Sequence, residues 1–261
     1  MLNKTIGDFN MCKTNYPELE KMVHELTDIN EDGDIGKCRR IKMLQQICEK
    51  LLNEYVIKIG ETSIEPMLIE AYYYHSGKFE DTSVHASKNS AAQTYELARD
   101  RQKNNFGKLY MHYGTKDGID IVLSRSDDYY LSFLIKNALV DGEWATQCAI
   151  SKKVCEKCNN CGECKGCKCK YYDDIVLESV DSKDWEIVFL PRKGIKNNFA
   201  NEPIAALPIN KIKEQDYEFT PGISRTEIIK KYIKENIQEK DEQELKELAR
   251  GFVAWEKCKR G

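Results

Sequence analysis

Residues 67–75, with the sequence MLIEAYYYH, constrain the fold of this chain more than any other stretch. Read as a β-strand, whose side chains point alternately to opposite faces, the stretch places Glu70, Tyr72 and Tyr74 on one face. A lone glutamate on a strand is usually a solvated surface residue, so a functional role for Glu70 needs support from the rest of the chain. The opposite face carries residues that can pack into a core, namely Ile69, Ala71 and Tyr73.

The composition indicates a globular protein with a modest core and a strongly solvated surface. Hydrophobic residues make up 41% of the 261 residues and charged residues 32%, and the formal net charge is −3. This charge argues against a protein that coats nucleic acid through bulk positive charge, although 40 Lys and Arg residues leave room for a local basic groove. The length fits one large domain, or one domain with appendages.

The first ten residues contain no basic region followed by an apolar run, as a secretory leader would. No stretch approaches the ~20 apolar residues that a membrane span requires. We therefore expect a cytoplasmic protein without a membrane partner. In that reducing setting, cysteines are more often ligands or nucleophiles than disulfide partners.

Periodicity along the chain predicts a mixed α/β fold of the α+β kind. Helices are predicted at residues 17–26, 40–55 and 91–102, and strands at 67–74, 109–112, 119–124, 130–136, 174–180 and 185–190. Capping-box patterns that begin at Ser224 and Asp241 predict two C-terminal helices. The predicted organisation is a helical N-terminal segment (1–57), an α/β core (58–222) with a cysteine-rich insertion (151–170), and C-terminal helices (223–261).

A short acidic segment between the first two predicted helices copies the opening of a calcium-binding EF-hand loop. Asp28, Asn30 and Asp32 supply oxygen ligands at the first, third and fifth positions, and Gly33 follows. The twelfth position, which needs a bidentate glutamate, is Arg39, and a cation there should weaken calcium binding severely. We therefore predict a plain helix-loop-helix turn.

Six closely spaced cysteines form the strongest isolated signal in the chain. They follow a Cys-x-x-Cys pattern with a final Cys-x-Cys and are Cys155, Cys158, Cys161, Cys164, Cys167 and Cys169. Thiolates at this spacing can reach one tetrahedral ion, which favours structural zinc, with an iron–sulfur cluster as the alternative. Because residues 151–170 have few apolar side chains, metal would have to order them; otherwise they form a reduced loop.

A series of short motifs follows the central strand in a fixed order. Glu70-Ala-Tyr72 is followed by Asp81 and His85, and the later members are NFGKLYMHYG (105–114), GID (118–120), LIKNAL (134–139) and PRKGI (191–195). The series resembles the alkyladenine (3-methyladenine) DNA glycosylase family. That family has a Glu-x-Tyr strand, a downstream histidine, a hairpin ending in Tyr-Gly, an asparagine-containing strand, an (Ile/Leu)-Arg-Ala-Leu strand and a Pro-Arg-Ile-Gly-Ile element. The match covers residues 66–142 and 190–196.

The resemblance implies a single domain with a curved, mostly antiparallel sheet flanked by helices. It also implies an enzyme that flips an alkylated or deaminated purine out of duplex DNA and hydrolyses its N-glycosidic bond, without a catalytic metal. Glu70 matches the general base that activates water. Tyr72, His85 and Tyr110 match the stacking walls, where a stacked base is worth roughly 1–3 kcal/mol. Tyr113 matches the wedge that fills the gap in the duplex.

The motif series departs from the family at two base-binding positions. Asp120 stands where the family has an asparagine, and an acceptor-only carboxylate would read a base edge differently from an amide. Lys136 replaces an arginine and loses its planar, bidentate fork. Asp120 and Lys136 could also form an ordinary cross-strand ion pair. The Gly-x-Gly-Lys-Leu stretch of the family is missing, and the cysteine-rich segment occupies that region.

Two alternatives to a glycosylase stay open at this point. The same aromatic pocket could belong to a non-catalytic module that binds a small nucleotide or a nucleic-acid end. The cysteine-rich segment could instead be primary, as a zinc-dependent contact with another protein, with the strands as its scaffold.

The cysteine spacing predicts that the purified protein contains zinc. Modification of its thiols should release that zinc in a colorimetric assay, because thiolates are the predicted ligands. Deletion of residues 151–170 should abolish the metal content. Iron in place of zinc would select the cluster, and a protein that carries neither metal would contradict the prediction.

Overall fold

The computed structural model of the chain describes residues 15–87, 102–103, 105–111, 118–157, 175–192, 195, 197–199 and 201–208. Within these residues, three helices lie against a curled antiparallel sheet of ten strands that forms about half of a barrel. The predicted single α+β domain with a curved antiparallel sheet is confirmed.

The helices are α1 (Pro17–Thr27), α2 (Gly33–Glu54) and α3 (Gln147–Lys157). The strands are β1 (Tyr55–Ile59), β2 (Thr62–His75), β3 (Phe79–Glu80), β4 (Leu109–Met111), β5 (Ile119–Val122), β6 (Tyr129–Val140), β7 (Glu143–Thr146), β8 (Ile175–Ser179), β9 (Ile187–Leu190) and β10 (Ala205–Pro208). No helix within the described ranges has both the length and the apolar character needed to cross a membrane.

The two longest strands, β2 and β6, form the centre of the sheet. The main path of the sheet is β4-β5-β6-β2-β1-β8, and β10 also pairs with β2 and continues to β9. The β2–β6 register runs from Ile64 opposite Val140 to His75 opposite Tyr129. It steps over Met67 on β2 and over Lys136 on β6, so each strand carries one bulge. Bulges of this kind bend a strand and often lie beside functional sites.

One face of the sheet packs against α1 and α2. The buried residues of α1 are spaced at helical intervals and are Leu19, Val23 and Leu26. α2 contributes Leu44 and Leu51, both fully buried, to the same core. Each such leucine stabilises the fold by roughly 1.5–3 kcal/mol. The predicted core face of β2 is confirmed, since its three residues belong to this core: Ile69, Ala71 and Tyr73.

The β6–β7 hairpin shows why the strands turn where they do. Asp141 and Gly142 form its two-residue loop, with φ values of 51° and 85°. A two-residue turn with both φ values positive matches the twist of the flanking strands and favours Asp-Gly. The turn fixes Val140 opposite Glu143.

The loop between α1 and α2 is a short turn rather than a calcium site. It comprises residues 28–32, far fewer than the twelve that an EF-hand loop requires. Arg39 forms an ion pair with Glu31. Arg40, which is 1% exposed, donates to the carbonyls of Ile29 (2.7 Å) and Glu31 (3.1 Å). The predicted helix-loop-helix turn is confirmed.

Several elements differ from the sequence prediction. α2 begins at Gly33 instead of residue 40, because Gly33 and Gly36 in its first turn are poor helix formers and conceal the start. Gly36 is required there, since a Cβ would overlap the Glu31 carbonyl. β1, β3, β7 and β10 were not predicted, and α3 takes in residues 151–157 of the predicted insertion. The helix predicted at 91–102 lies almost entirely outside the described residues, as do those predicted within 223–261.

The end of β2 places a histidine beside the helix-packed core. His75 Nδ1 shares a hydrogen bond of 2.9 Å with the Tyr73 hydroxyl. Burial is the main cause that lowers the pKa of His75 below its usual 6.5; Lys78 and Arg40 add to the decrease, and Asp128 opposes it. The unfolded chain therefore binds a proton at His75 more readily than the folded protein does.

This difference predicts a loss of stability on acidification. As the pH falls from about 7 through 6.5 and on through the lower folded pKa, the free energy of unfolding should decrease, because protonation favours the unfolded state. Replacement His75→Gln should flatten this part of the profile. Urea unfolding at several pH values measures both profiles, and an equally steep decrease in the variant would contradict the assignment to His75.

Candidate functional site

The sheet face opposite the helices carries a row of residues on four adjacent strands. The register places Glu70 of β2 opposite Leu134 of β6, Leu134 opposite Asp120 of β5, and Asp120 opposite Tyr110 of β4. Directly opposed residues of antiparallel strands share a face, so these four, here called the site row, lie on one surface of the sheet. With strands about 4.8 Å apart, the backbones at Glu70 and Asp120 are separated by about 10 Å.

Glu70 is buried at the centre of this surface. Only 1% of it is exposed, and the Tyr72 hydroxyl donates a hydrogen bond of 3.0 Å to Glu70 Oε2. The alternative that Glu70 is a solvated surface residue is wrong. A buried carboxylate is costly unless hydrogen bonds compensate its lost hydration, and Tyr72 supplies one of them.

The Tyr72 hydroxyl is held in its protonated form. Burial raises its pKa well above the usual 10, the Glu70 carboxylate raises it further, Arg192 lowers it, and Asp120 adds a smaller increase. Tyr72 as a whole is half-buried. Tyr72 therefore remains a hydrogen-bond donor toward Glu70 across the physiological pH range.

Asp120 is the second buried carboxylate of the site row. It is 3% exposed, and the Ser132 hydroxyl donates a hydrogen bond of 2.8 Å to Asp120 Oδ2. Ser132 lies opposite Tyr72 in the β2–β6 register, so it belongs to the same surface. The residue directly opposite Asp120 is Leu134 rather than Lys136. Lys136 is half-buried at the β6 bulge, where the register gives it no counterpart on β2.

Aromatic rings border the other end of the site row. Tyr110 is 2% exposed, and the His85 ring meets it edge-on, with centroids 6.5 Å apart and planes at 83°. Edge-to-face contact at this distance is a favourable arrangement of two rings. Val84 and Ala86, on either side of His85, are buried against tyrosines of β2 and β6. Their packing holds the turn so that half-buried His85 faces Tyr110.

Sequence reasoning missed a buried ion pair beside Tyr72. The Asp81 and Arg192 side chains are both 0% exposed, with Arg192 Nη2 at 2.7 Å from Asp81 Oδ2, close but out of hydrogen-bond alignment. The guanidinium carbon lies 4.5 Å from the centroid of the Tyr72 ring. Both residues belong to the ordered motif series. Their opposite charges were the one signal in the sequence from which the ion pair could have been predicted.

The structure brings most of the predicted catalytic and base-binding residues onto one face of the sheet. The residues that lie on this face or border it are Glu70, Tyr72, His85, Tyr110 and Asp120. Lys136 lies on the adjoining bulge of β6. The predicted wedge, Tyr113, lies outside the described residues. Cys155 lies within α3, and the other five cysteines of the predicted metal site lie outside the described part of the chain. Among the described residues, no group of three or more histidines, cysteines or carboxylates could hold a metal ion.

Comparison with protein-family models and with curated proteins finds no match to this chain. Glu70 and Asp120 place two carboxyl groups, which accept hydrogen bonds, on this face of the sheet. Such a surface, bordered by rings, suits a flat ligand that presents hydrogen-bond donors or positive charge.

Replacement Tyr72→Phe should destabilise the protein, because it removes a hydrogen bond from a buried carboxylate. A bond to a charged group contributes about 1.5–3 kcal/mol. The matched control is Tyr129→Phe, whose hydroxyl makes a 3.5 Å bond to the neutral Leu123 carbonyl on the core side. That loss should be about 0.5–1.5 kcal/mol. Urea unfolding compares the two, and a Tyr72→Phe cost no larger than the control would contradict the description of Glu70.

Proposed function

We propose that this protein is a DNA glycosylase-like enzyme that flips an alkylated or deaminated purine out of duplex DNA and hydrolyses its N-glycosidic bond. The observation that carries the proposal is the hydrogen-bonded Glu70–Tyr72 pair, on the same surface as Asp120 and Tyr110. The order of motifs predicts a site at these residues, which come from three different strands. Their convergence supports a common role.

Glu70 serves as the general base in this proposal. It accepts a proton from a water molecule that attacks the sugar carbon, and positioned acid–base catalysis of this kind contributes about 10²–10⁴-fold in rate. Tyr72 keeps its proton and orients the carboxylate through the 3.0 Å hydrogen bond. The reaction needs no catalytic metal, since a carboxylate and water supply the base and the nucleophile.

The flipped base is recognised by rings and by one carboxylate. Tyr72, His85 and Tyr110 supply aromatic surface, and each stacked base gains roughly 1–3 kcal/mol. Asp120 accepts hydrogen bonds from donors on the edge of the base. Lys136 adds a cation at the bulge of β6, and Tyr113 fills the space that the base leaves in the duplex.

A non-catalytic nucleotide-binding module is the second candidate, and one observation favours it. Glu70 is 1% exposed and already bonded to Tyr72, which suits a structural carboxylate better than a base that must meet water. The same surface would then hold a small nucleotide or a nucleic-acid end without turnover.

The cysteine-rich segment is proposed to hold structural zinc, with an iron–sulfur cluster as the alternative. Thiolate donors at this spacing suit a tetrahedral ion. α3, which carries Cys155, is anchored to the sheet through Ile150 and Val154, both buried in the main core. The segment would therefore start from a fixed point on the domain. The reducing cytoplasm is the setting in which such thiols would remain ligands.

The proposed activity predicts alkali-labile sites in duplexes that carry hypoxanthine, ethenoadenine or 3-methyladenine. Replacement Glu70→Gln should lower the single-turnover excision rate by about 10²–10⁴-fold, because the amide cannot accept the water proton. The matched control is Glu178→Gln, at an exposed strand residue of β8, which should excise at the wild-type rate.

Three outcomes would redirect the proposal. A wild-type protein that leaves all three duplexes intact is not a glycosylase for these bases. Full activity in Glu70→Gln would remove Glu70 from the role of base. Tight nucleotide binding that is unaffected by Glu70→Gln, without turnover, would select the binding module.

A further inference from the structure

Strand β2 has a continuous neighbour along one edge and an interrupted one along the other. On the first edge, β6 accompanies it as far as His75. On the second edge, β10 pairs at Ile69 and Glu70, and β3 pairs only at Tyr74 and His75. Within the described strands, residues 71–73 therefore lie between two strand ends on that edge. This interval begins directly after Glu70 and includes Tyr72, and on this edge its Ala71 N–H donates a 2.9 Å hydrogen bond to the Ile204 carbonyl.

Arg192 occupies this interval. It lies two residues after the end of β9, and its Nη1 donates a hydrogen bond of 3.0 Å to the Ala71 carbonyl. A guanidinium thus supplies the donor that a neighbouring strand would otherwise provide. The same guanidinium lies over the ring of Tyr72, 4.5 Å from its centroid. One side chain contacts both the backbone between Glu70 and Tyr72 and the Tyr72 ring.

Arg192 is in turn held by a buried acidic group. Asp81 Oδ2 lies 2.7 Å from Arg192 Nη2, and Ser83 Oγ accepts a 3.2 Å bond from Arg192 Nη1. Ser83 and Asn197 both donate to Asp81 Oδ1, which fixes the carboxylate. A buried ion pair is often no more stabilising than well-packed apolar residues of the same volume. Arg192, however, also donates a hydrogen bond to the Ala71 carbonyl and lies over the Tyr72 ring, and apolar residues could not make that hydrogen bond.

We propose that Arg192, held by Asp81, is the positioning residue of the Glu70–Tyr72 pair. It fixes the backbone at Ala71 and the plane of the Tyr72 ring, so that the hydroxyl reaches Glu70. It also covers one face of the Tyr72 ring. The catalytic consequence of this role rests on the proposed function, whereas the conformational part stands by itself.

The conformational part is tested by fluorine NMR on full-length protein labelled with 3-fluorotyrosine. The chain contains 14 tyrosines, and loss of one resonance in Tyr72→Phe identifies the Tyr72 signal. Replacement Arg192→Lys, which keeps the charge but removes the planar fork, should shift that signal. Arg40→Lys is the matched control, since Arg40 is also a buried arginine bonded to carbonyls but contacts the loop between α1 and α2. It should leave the Tyr72 signal in place.

Ser83→Ala provides a milder variant in case Arg192→Lys does not fold. It removes one acceptor of Arg192 and one donor of Asp81 while keeping both charges, and it should shift the Tyr72 signal in a folded protein. An unchanged Tyr72 signal in any folded variant of Arg192 or Ser83 would overturn the positioning role. A shift of equal size in Arg40→Lys would overturn it as well.

The catalytic part is tested by single-turnover excision from a hypoxanthine-containing duplex. Arg192→Lys should lower the rate by about 10–100-fold with little change in duplex affinity, because the base is misplaced rather than removed. Combined with Tyr72→Phe, the losses should be far from additive, whereas Arg40→Lys should excise like wild type. Additive losses, or an equal loss in Arg40→Lys, would contradict the role. If the wild type excises nothing, the proposed function fails, and the fluorine signal alone decides the positioning role.

Discussion

The burial of the Glu70 carboxylate in the centre of the sheet is the constraint on which the site depends. Removing an ionised carboxylate from water is expensive, so its neighbours must supply hydrogen bonds or opposite charge. Tyr72 donates one such bond, and its own raised pKa keeps the donor in place. The Tyr72 ring is then fixed by Arg192, whose charge is balanced by Asp81. A chain of contacts therefore connects one buried carboxylate to a loop and to the end of β9.

The two faces of β2 have different roles: one packs into the core, and the other carries Glu70 and Tyr72. Ile69, Ala71 and Tyr73 pack under α1 and α2, and the burial of their apolar surface stabilises the folded sheet. The alternate residues face the site row and hold their polar atoms in fixed positions. A site built on the central strand of a packed sheet is held more precisely than one built on loops, and this favours recognition of a flat, rigid ligand.

The sequence allowed the central strand, its two faces and the strands at 109–112, 119–124 and 130–136 to be predicted, because alternation and turn residues are local signals. β1 escaped prediction because it follows α2 without a helix-breaking residue between them. β10 escaped because a four-residue apolar run that ends in Pro208 carries no alternation. Local pattern also cannot give the bulge at Lys136, since register depends on which strand lies alongside.

The candidate site likewise contains residues that the sequence predicts and residues that it does not. Motif order nominated Glu70, Tyr72, His85, Tyr110 and Asp120, and strand alternation placed Glu70 and Tyr72 together. The role of Arg192 could not be predicted, because it contacts Ala71 across 121 residues of chain and depends on where β10 and β3 end. The hydrogen bond from Ser132 to Asp120 could not be predicted either, because it depends on the pairing of β5 with β6.

The most direct test of the central claim is chromatographic detection of free base released from a hypoxanthine-containing duplex. If the surface around Glu70 and Tyr72 is a glycosylase site, the wild-type protein should release one hypoxanthine for each abasic site formed, and Glu70→Gln should release almost none. Duplex or nucleotide binding by the wild-type protein, with no free base after prolonged incubation, would contradict it.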